Sequence, residues 1–187
     1  MKPKPTLKYI FLVSLTLPIL SCKREKKDAS DELGHSFVTT LEVRLILRGD
    51  TIYGRYKDPD GPGGRPATVD TLRPNADSTY TFILRVLDES GNPIKDITDI
   101  IFTQQKNTHR MFFFTEPTQL ASIQPTDTDD LGRPVGGKGI WTQGPASVSS
   151  GKVRFILRHY STPGDKTYGL ERGSTDLDVE LPIRIRN

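Results

Sequence analysis

Apolar and polar residues alternate with a period of two along four long stretches of the chain. In FVTTLEVRLIL, Phe37, Leu41, Val43, Leu45 and Leu47 fall on one side, with Glu42 and Arg44 opposite. Tyr80, Phe82, Leu84 and Val86 alternate with Thr79, Thr81 and Arg85, and Val153, Phe155 and Leu157 with Arg154 and Arg158. Leu177, Val179, Leu181, Ile183 and Ile185 alternate with Asp176, Asp178, Glu180 and Arg184. Successive side chains of a strand point to opposite faces, so each stretch predicts a strand with one buried face. Shorter strands are predicted over residues 51–56, 68–72, 110–115, 120–124 and 139–143, between breaks rich in Gly, Pro, Asn and Asp that suit turns. Only DITDIIFTQQKNT, Asp96 to Thr108, has helical spacing, through Ile97, Ile100 and Ile101 with Asp96 as the cap. Its β-branched residues work against a long helix. The pattern predicts an all-β fold, an antiparallel, immunoglobulin-like β-sandwich of about eight or nine strands with at most one short helix. Pro182 and the outward Arg and Asp residues would blunt its exposed edges.

The N-terminus follows a different rule. Lys2, Lys4 and Lys8 precede YIFLVSLTLPIL, Tyr9 to Leu20, an apolar run too short to span a bilayer, which takes roughly 20 residues. Its length and its basic front end are those of a secretory signal peptide. The run ends in Ile19-Leu20-Ser21-Cys22, which resembles the lipobox of bacterial lipoproteins. That resemblance implies cleavage before Cys22 and acylation of its thiol. The expected organisation is a signal peptide over 1–21, a lipidated Cys22 with a charged tether over 22–34, and one β-sandwich domain over 35–187. The tether, KREKKDASDEL, has too few apolar residues to join a core. Cys22 is the chain's single cysteine, so the mature domain would have no thiol for a disulfide, a zinc ribbon or a nucleophile.

Charge changes the picture once the signal segment is removed. The chain carries +3, from 26 basic and 23 acidic residues, but three of the lysines lie in residues 1–21. The remainder is balanced, 23 against 23, and lacks the basic footprint of a nucleic-acid binder.

Four blocks, YKDPDGPGGRPATVDTLRPNADSTYTF, LDESGNPIKDITDII with HRMFFF after it, DTDDLGRPVGGKGIWTQG and GSTDLDVELPI, carry a wider resemblance. Together they resemble a family of small Gram-negative envelope lipoproteins whose members are often labelled "type 1 periplasmic-binding fold" proteins. That label denotes an α/β fold, whereas the alternation here is that of an all-β one. The resemblance implies a lipid-anchored protein of the cell envelope; the reading taken from the sequence as a whole is a non-enzymatic binding module, or an accessory to an outer-membrane transporter, at the outer membrane. The family usually has more acidic residues before the histidine of the second block, where this chain reads FTQQKNTHR.

Candidate chemistry is sparse. Asp58 and Asp60 could offer oxygens to Ca²⁺, but counting from Asp58 places Pro62 at position 5 and Val69 at position 12, unlike an EF-hand. A tight turn stiffened by Pro59 and Pro62 is the alternative. Asp127, Asp129 and Asp130 form a second acidic cluster, able to pool with the first only if both lie at one end of the sandwich. His159 continues the inward register of Val153, Phe155 and Leu157, and His109 opens the apolar run RMFFF. With an acid such as Asp176, the two histidines could hold Zn²⁺ or Cu²⁺. The alternative is a core histidine satisfied by a backbone carbonyl. Asp176 and Asp178 on one strand face would be about 7 Å apart, a spacing glycosidase pairs can have. No Gly-x-Ser-x-Gly or His-Glu-x-x-His is present. The chain therefore reads as a non-enzymatic envelope protein with Ca²⁺ or Zn²⁺ as its leading candidate cofactors and a membrane as its expected partner. Trp141 is expected in the core.

Overall fold

The computed structural model describes residues 37–61 and 63–187, together with Met1. Cys22, the tether and His35 lie outside the described residues.

Among the described residues, ten strands form two antiparallel sheets. The larger contains β1 (Thr40–Leu47), β2 (Asp50–Lys57), β3 (Thr68–Val69), β4 (Thr79–Asp88), β5 (Lys95–Asp96), β7 (Ala121–Pro125) and β8 (Lys138–Gln143), ordered β3-β2-β1-β4-β8-β7 with β5 paired to β4. The smaller contains β6 (His109–Glu116), β9 (Ser150–His159) and β10 (Ser174–Arg184), ordered β10-β9-β6. The predicted all-β sandwich is what the chain forms. The core lies between the inward residues of the two sheets: Leu41, Val43, Leu45, Phe82, Leu84 and Trp141 from one, Met111, Phe155, Leu157, Val179 and Leu181 from the other. Phe113 joins them, its ring edge-on to Phe82 at 5.3 Å and to Phe155 at 5.6 Å. Trp141 is fully buried, as expected, and its indole N–H donates to Gln143 Oε1 at 3.0 Å.

Three details depart from the sequence pattern. Phe37 precedes β1 and is exposed, its ring lying over Gly61 rather than in the core. The expected helix over Asp96–Thr108 shrinks to a π-type turn, Ile100–Gln104. Asp96, expected as its cap, pairs with Leu87 in β5, and its Oδ1 accepts from the Thr98 N–H at 3.1 Å at the entrance to the turn. Three isoleucines close together favour burying a short turn over extending it; among them Ile97 and Ile101 are buried and Ile100 is exposed. Finally, β10 carries a β-bulge between Thr175 and Leu177. A bulge inserts an unpaired residue and re-aims its side chain, and here that residue is Asp176.

Gly139 marks the tightest approach between β8 and β7. A Cβ there would lie 2.1 Å from the Gln124 carbonyl oxygen and 2.7 Å from the Phe82 ring. Gly139→Ala is therefore expected to cost about 1–3 kcal/mol through overpacking, read from the urea midpoint. An unchanged midpoint would show that the two strands can separate freely.

Candidate metal centre

The three-stranded sheet fixes the positions of both histidines. His109 opens β6, His159 closes β9, and the two are directly paired across the strands. They share a face with Met111–Leu157 and Phe113–Phe155, the next inward pairs, so both rings point toward the interior at one end of the sandwich. The rings stack in parallel, with centroids 4.6 Å apart and planes inclined by 1°. Strand β10 flanks β9, and its bulge brings Asp176 into the same corner, with Oδ2 3.4 Å from His109 Nε2. The donor atoms of His109, His159 and Asp176 all lie within 4.8 Å of one another. Among the described residues this is the only group of three or more side chains able to ligate a metal.

The protonation of His109 follows from its neighbours. Its Nδ1 lies 3.1 Å from the Gln105 carbonyl oxygen, just after the π turn. A carbonyl only accepts, so Nδ1 carries the hydrogen and donates it. Its Nε2 then faces the Asp176 carboxylate, on a residue only 2% exposed, the arrangement a shared cation would bridge. Metal-binding histidines characteristically donate their other ring N–H to a carbonyl or carboxylate, which fixes the ring and its tautomer. The backbone carbonyl expected of a core histidine is present here, in the place that also suits a ligand.

The other predicted residues hold their own loops. Asp127 accepts from the N–H groups of Gly136 at 2.9 Å and Gly137 at 2.7 Å, closing the loop between β7 and β8. Gly136 makes this possible, with φ at +95° and no Cβ to strike the Met111 carbonyl. Asp130 accepts from Asn107 at 2.8 Å and pairs with Lys106. Asp129 is buried and takes Leu131 N–H, Arg133 N–H, the Arg133 guanidinium and the Lys166 ammonium. Asp60 accepts from Arg65 N–H at 3.0 Å. Asp58 is buried, with Tyr56 donating to Oδ2 at 3.4 Å and Oδ1 without a partner among the described residues. The five aspartates do not form a ligand group among the described residues. The alternation that would set Asp176 beside Asp178 is broken by the bulge. Asp178 instead pairs with Arg154 across the outer face, which holds its carboxyl below the usual range.

Sequence reasoning missed Lys166, a fully buried lysine that donates to the Lys106 carbonyl at 2.7 Å and meets Asp129 Oδ2 at 3.1 Å. Its signal was weak, since PGDKTYGLE reads as an exposed loop. The carbonyls of Gln105 and Lys106, adjacent in the chain, thus hold His109 and Lys166 respectively. The histidine corner and this buried ion pair share one turn.

No protein-family profile, curated protein or solved structure matches the chain.

Proposed function

We propose that this is a lipid-anchored envelope protein whose β-sandwich binds a transition-metal ion through His109, His159 and Asp176. The observation that carries the reading is His109 Nε2 set 3.4 Å from Asp176 Oδ2, its ring held by the Gln105 carbonyl, with a second imidazole stacked beside it. Two imidazoles and one carboxylate, with no thiolate, suit borderline ions such as Zn²⁺ and Cu²⁺ over Ca²⁺, which takes oxygen donors. Metal analysis of purified protein loaded with Zn²⁺ and dialysed tests the reading. One equivalent retained is expected; protein that retains no Zn²⁺ or Cu²⁺ would contradict it.

The location is part of the same proposal and rests on the lipobox-like Ile19–Cys22 and the neutral charge of the mature domain. Several acyl chains give durable anchoring, each buried CH₂ contributing about 0.8 kcal/mol. Cys22→Ala is expected to move the protein from the membrane pellet to the soluble fraction. Unchanged sedimentation with the envelope would remove the anchor from the account.

A further inference from the structure

We infer that the ion held by His109, His159 and Asp176 keeps an exchangeable coordination position that takes a small anionic ligand. This rests on the metal-binding reading above and goes beyond it, since a bound ion could equally be closed off. Three observations carry the inference. The first is the donor count. Zn²⁺-like ions are four-coordinate in closed sites, and sites with three protein ligands fill the remaining position from solution. The cluster supplies three side chains, and no fourth His, Cys, Asp or Glu joins it among the described residues.

The second is the direction of exposure. His109 is 2% exposed, whereas the Asp176 side chain is 26% exposed, and His159 is intermediate. The corner is sealed behind His109 by the π turn and open at the bulged strand. A ligand from solution therefore meets the ion from the Asp176 side.

The third is charge. A divalent ion with one carboxylate retains a positive charge. The buried Asp129 carboxylate is already saturated by four donors and cannot serve as the missing ligand. The residual charge of the ion therefore favours an anion, such as a carboxylate or a phosphate oxygen, over a neutral donor.

Co²⁺ substitution tests this, because its visible ligand-field bands respond to a change in the coordination shell. The Co²⁺-loaded domain would be titrated separately with azide, acetate and phosphate. The expected result is a saturable movement of the bands with azide and with at least one oxyanion, acetate and phosphate distinguishing a carboxylate ligand from a phosphate. Bands present but unmoved by all three anions overturn the open position while leaving the metal site standing. Protein that develops no Co²⁺ bands overturns the metal-binding reading and this inference with it.

Discussion

Asp129→Ala is expected to lower the free energy of unfolding by about 3–5 kcal/mol, the usual consequence of stranding one member of a buried ion pair. Asp129 and Lys166 both have side chains with no exposure, 3.1 Å apart. The two partners are not equally satisfied. Burial pushes the Asp129 carboxyl up, but the Arg133 N–H, Lys166, the Leu131 N–H and the Arg133 side chain outweigh it and hold the carboxyl at about 2. For Lys166 burial wins: it lowers the ammonium's pKa, and Asp129 offsets this only in part. With alanine at 129, Lys166 keeps only the Lys106 carbonyl, while the N–H groups of Leu131 and Arg133 lose their acceptor. Asp129→Ala with Lys166→Met should recover a large share of the loss, because an apolar side chain then fills a site with no stranded charge. Urea denaturation of both variants is the check. A loss below about 1 kcal/mol for the single variant would mean that water reaches Lys166.

The same pair fixes one acid limb of stability. A carboxyl depressed from 3.8 to about 2 in the folded state contributes stability that is present above pH 4. That contribution disappears as the pH falls through the folded value, with a size of about 2 kcal/mol. Wild-type protein should lose it between about pH 4 and pH 2, and Asp129→Ala should show a correspondingly shallower decline.

The second large effect concerns the ligand corner. Zn²⁺ at a hundred times its dissociation constant should add about 2.7 kcal/mol to stability if it binds only the folded state. For a chain of this size that raises Tm by roughly 5–10 °C. His159→Gln and Asp176→Asn are expected to abolish the rise while leaving the metal-free Tm within a few degrees, since both residues are partly exposed. His109→Ala would also remove the rise, but its ring is buried and bonded to Gln105, so its metal-free stability should fall as well. A Zn²⁺-induced rise that survives Asp176→Asn would remove that carboxylate from the ligand set.

The sandwich was legible because alternation reports burial directly. Leu41, Val43 and Leu45, like Phe82 and Leu84, sit in the core where the period of two places them. The inward direction of His159 was legible for the same reason, since it continues the register of Leu157. What alternation cannot show is which strands are neighbours. His109 and His159 meet because β6 pairs with β9, 50 residues along the chain, and no local spacing such as His-x-His announces a pair made across strands. Asp176 was harder to place, because the bulge that turns it toward His109 breaks the pattern used to assign it to the outer face. Lys166 was hidden by its own chemistry, a charged residue in a polar loop whose burial depends on an aspartate and a carbonyl from two other segments. The aspartate clusters looked like cation loops because turn-closing aspartates and ligand aspartates accept hydrogen bonds in similar loops. Only the backbone N–H groups of Gly136, Gly137, Leu131 and Arg133 show that these carboxylates already have partners.

The most direct test of the account is anomalous diffraction from crystals of the domain grown with Zn²⁺, collected on both sides of the zinc absorption edge. The account predicts one strong anomalous peak in the corner between β6, β9 and the bulge of β10, about 2.0–2.2 Å from a ring nitrogen of each histidine and from an Asp176 oxygen. No peak there, or a peak only at the Asp58 or Asp127–Asp130 loops, would contradict it.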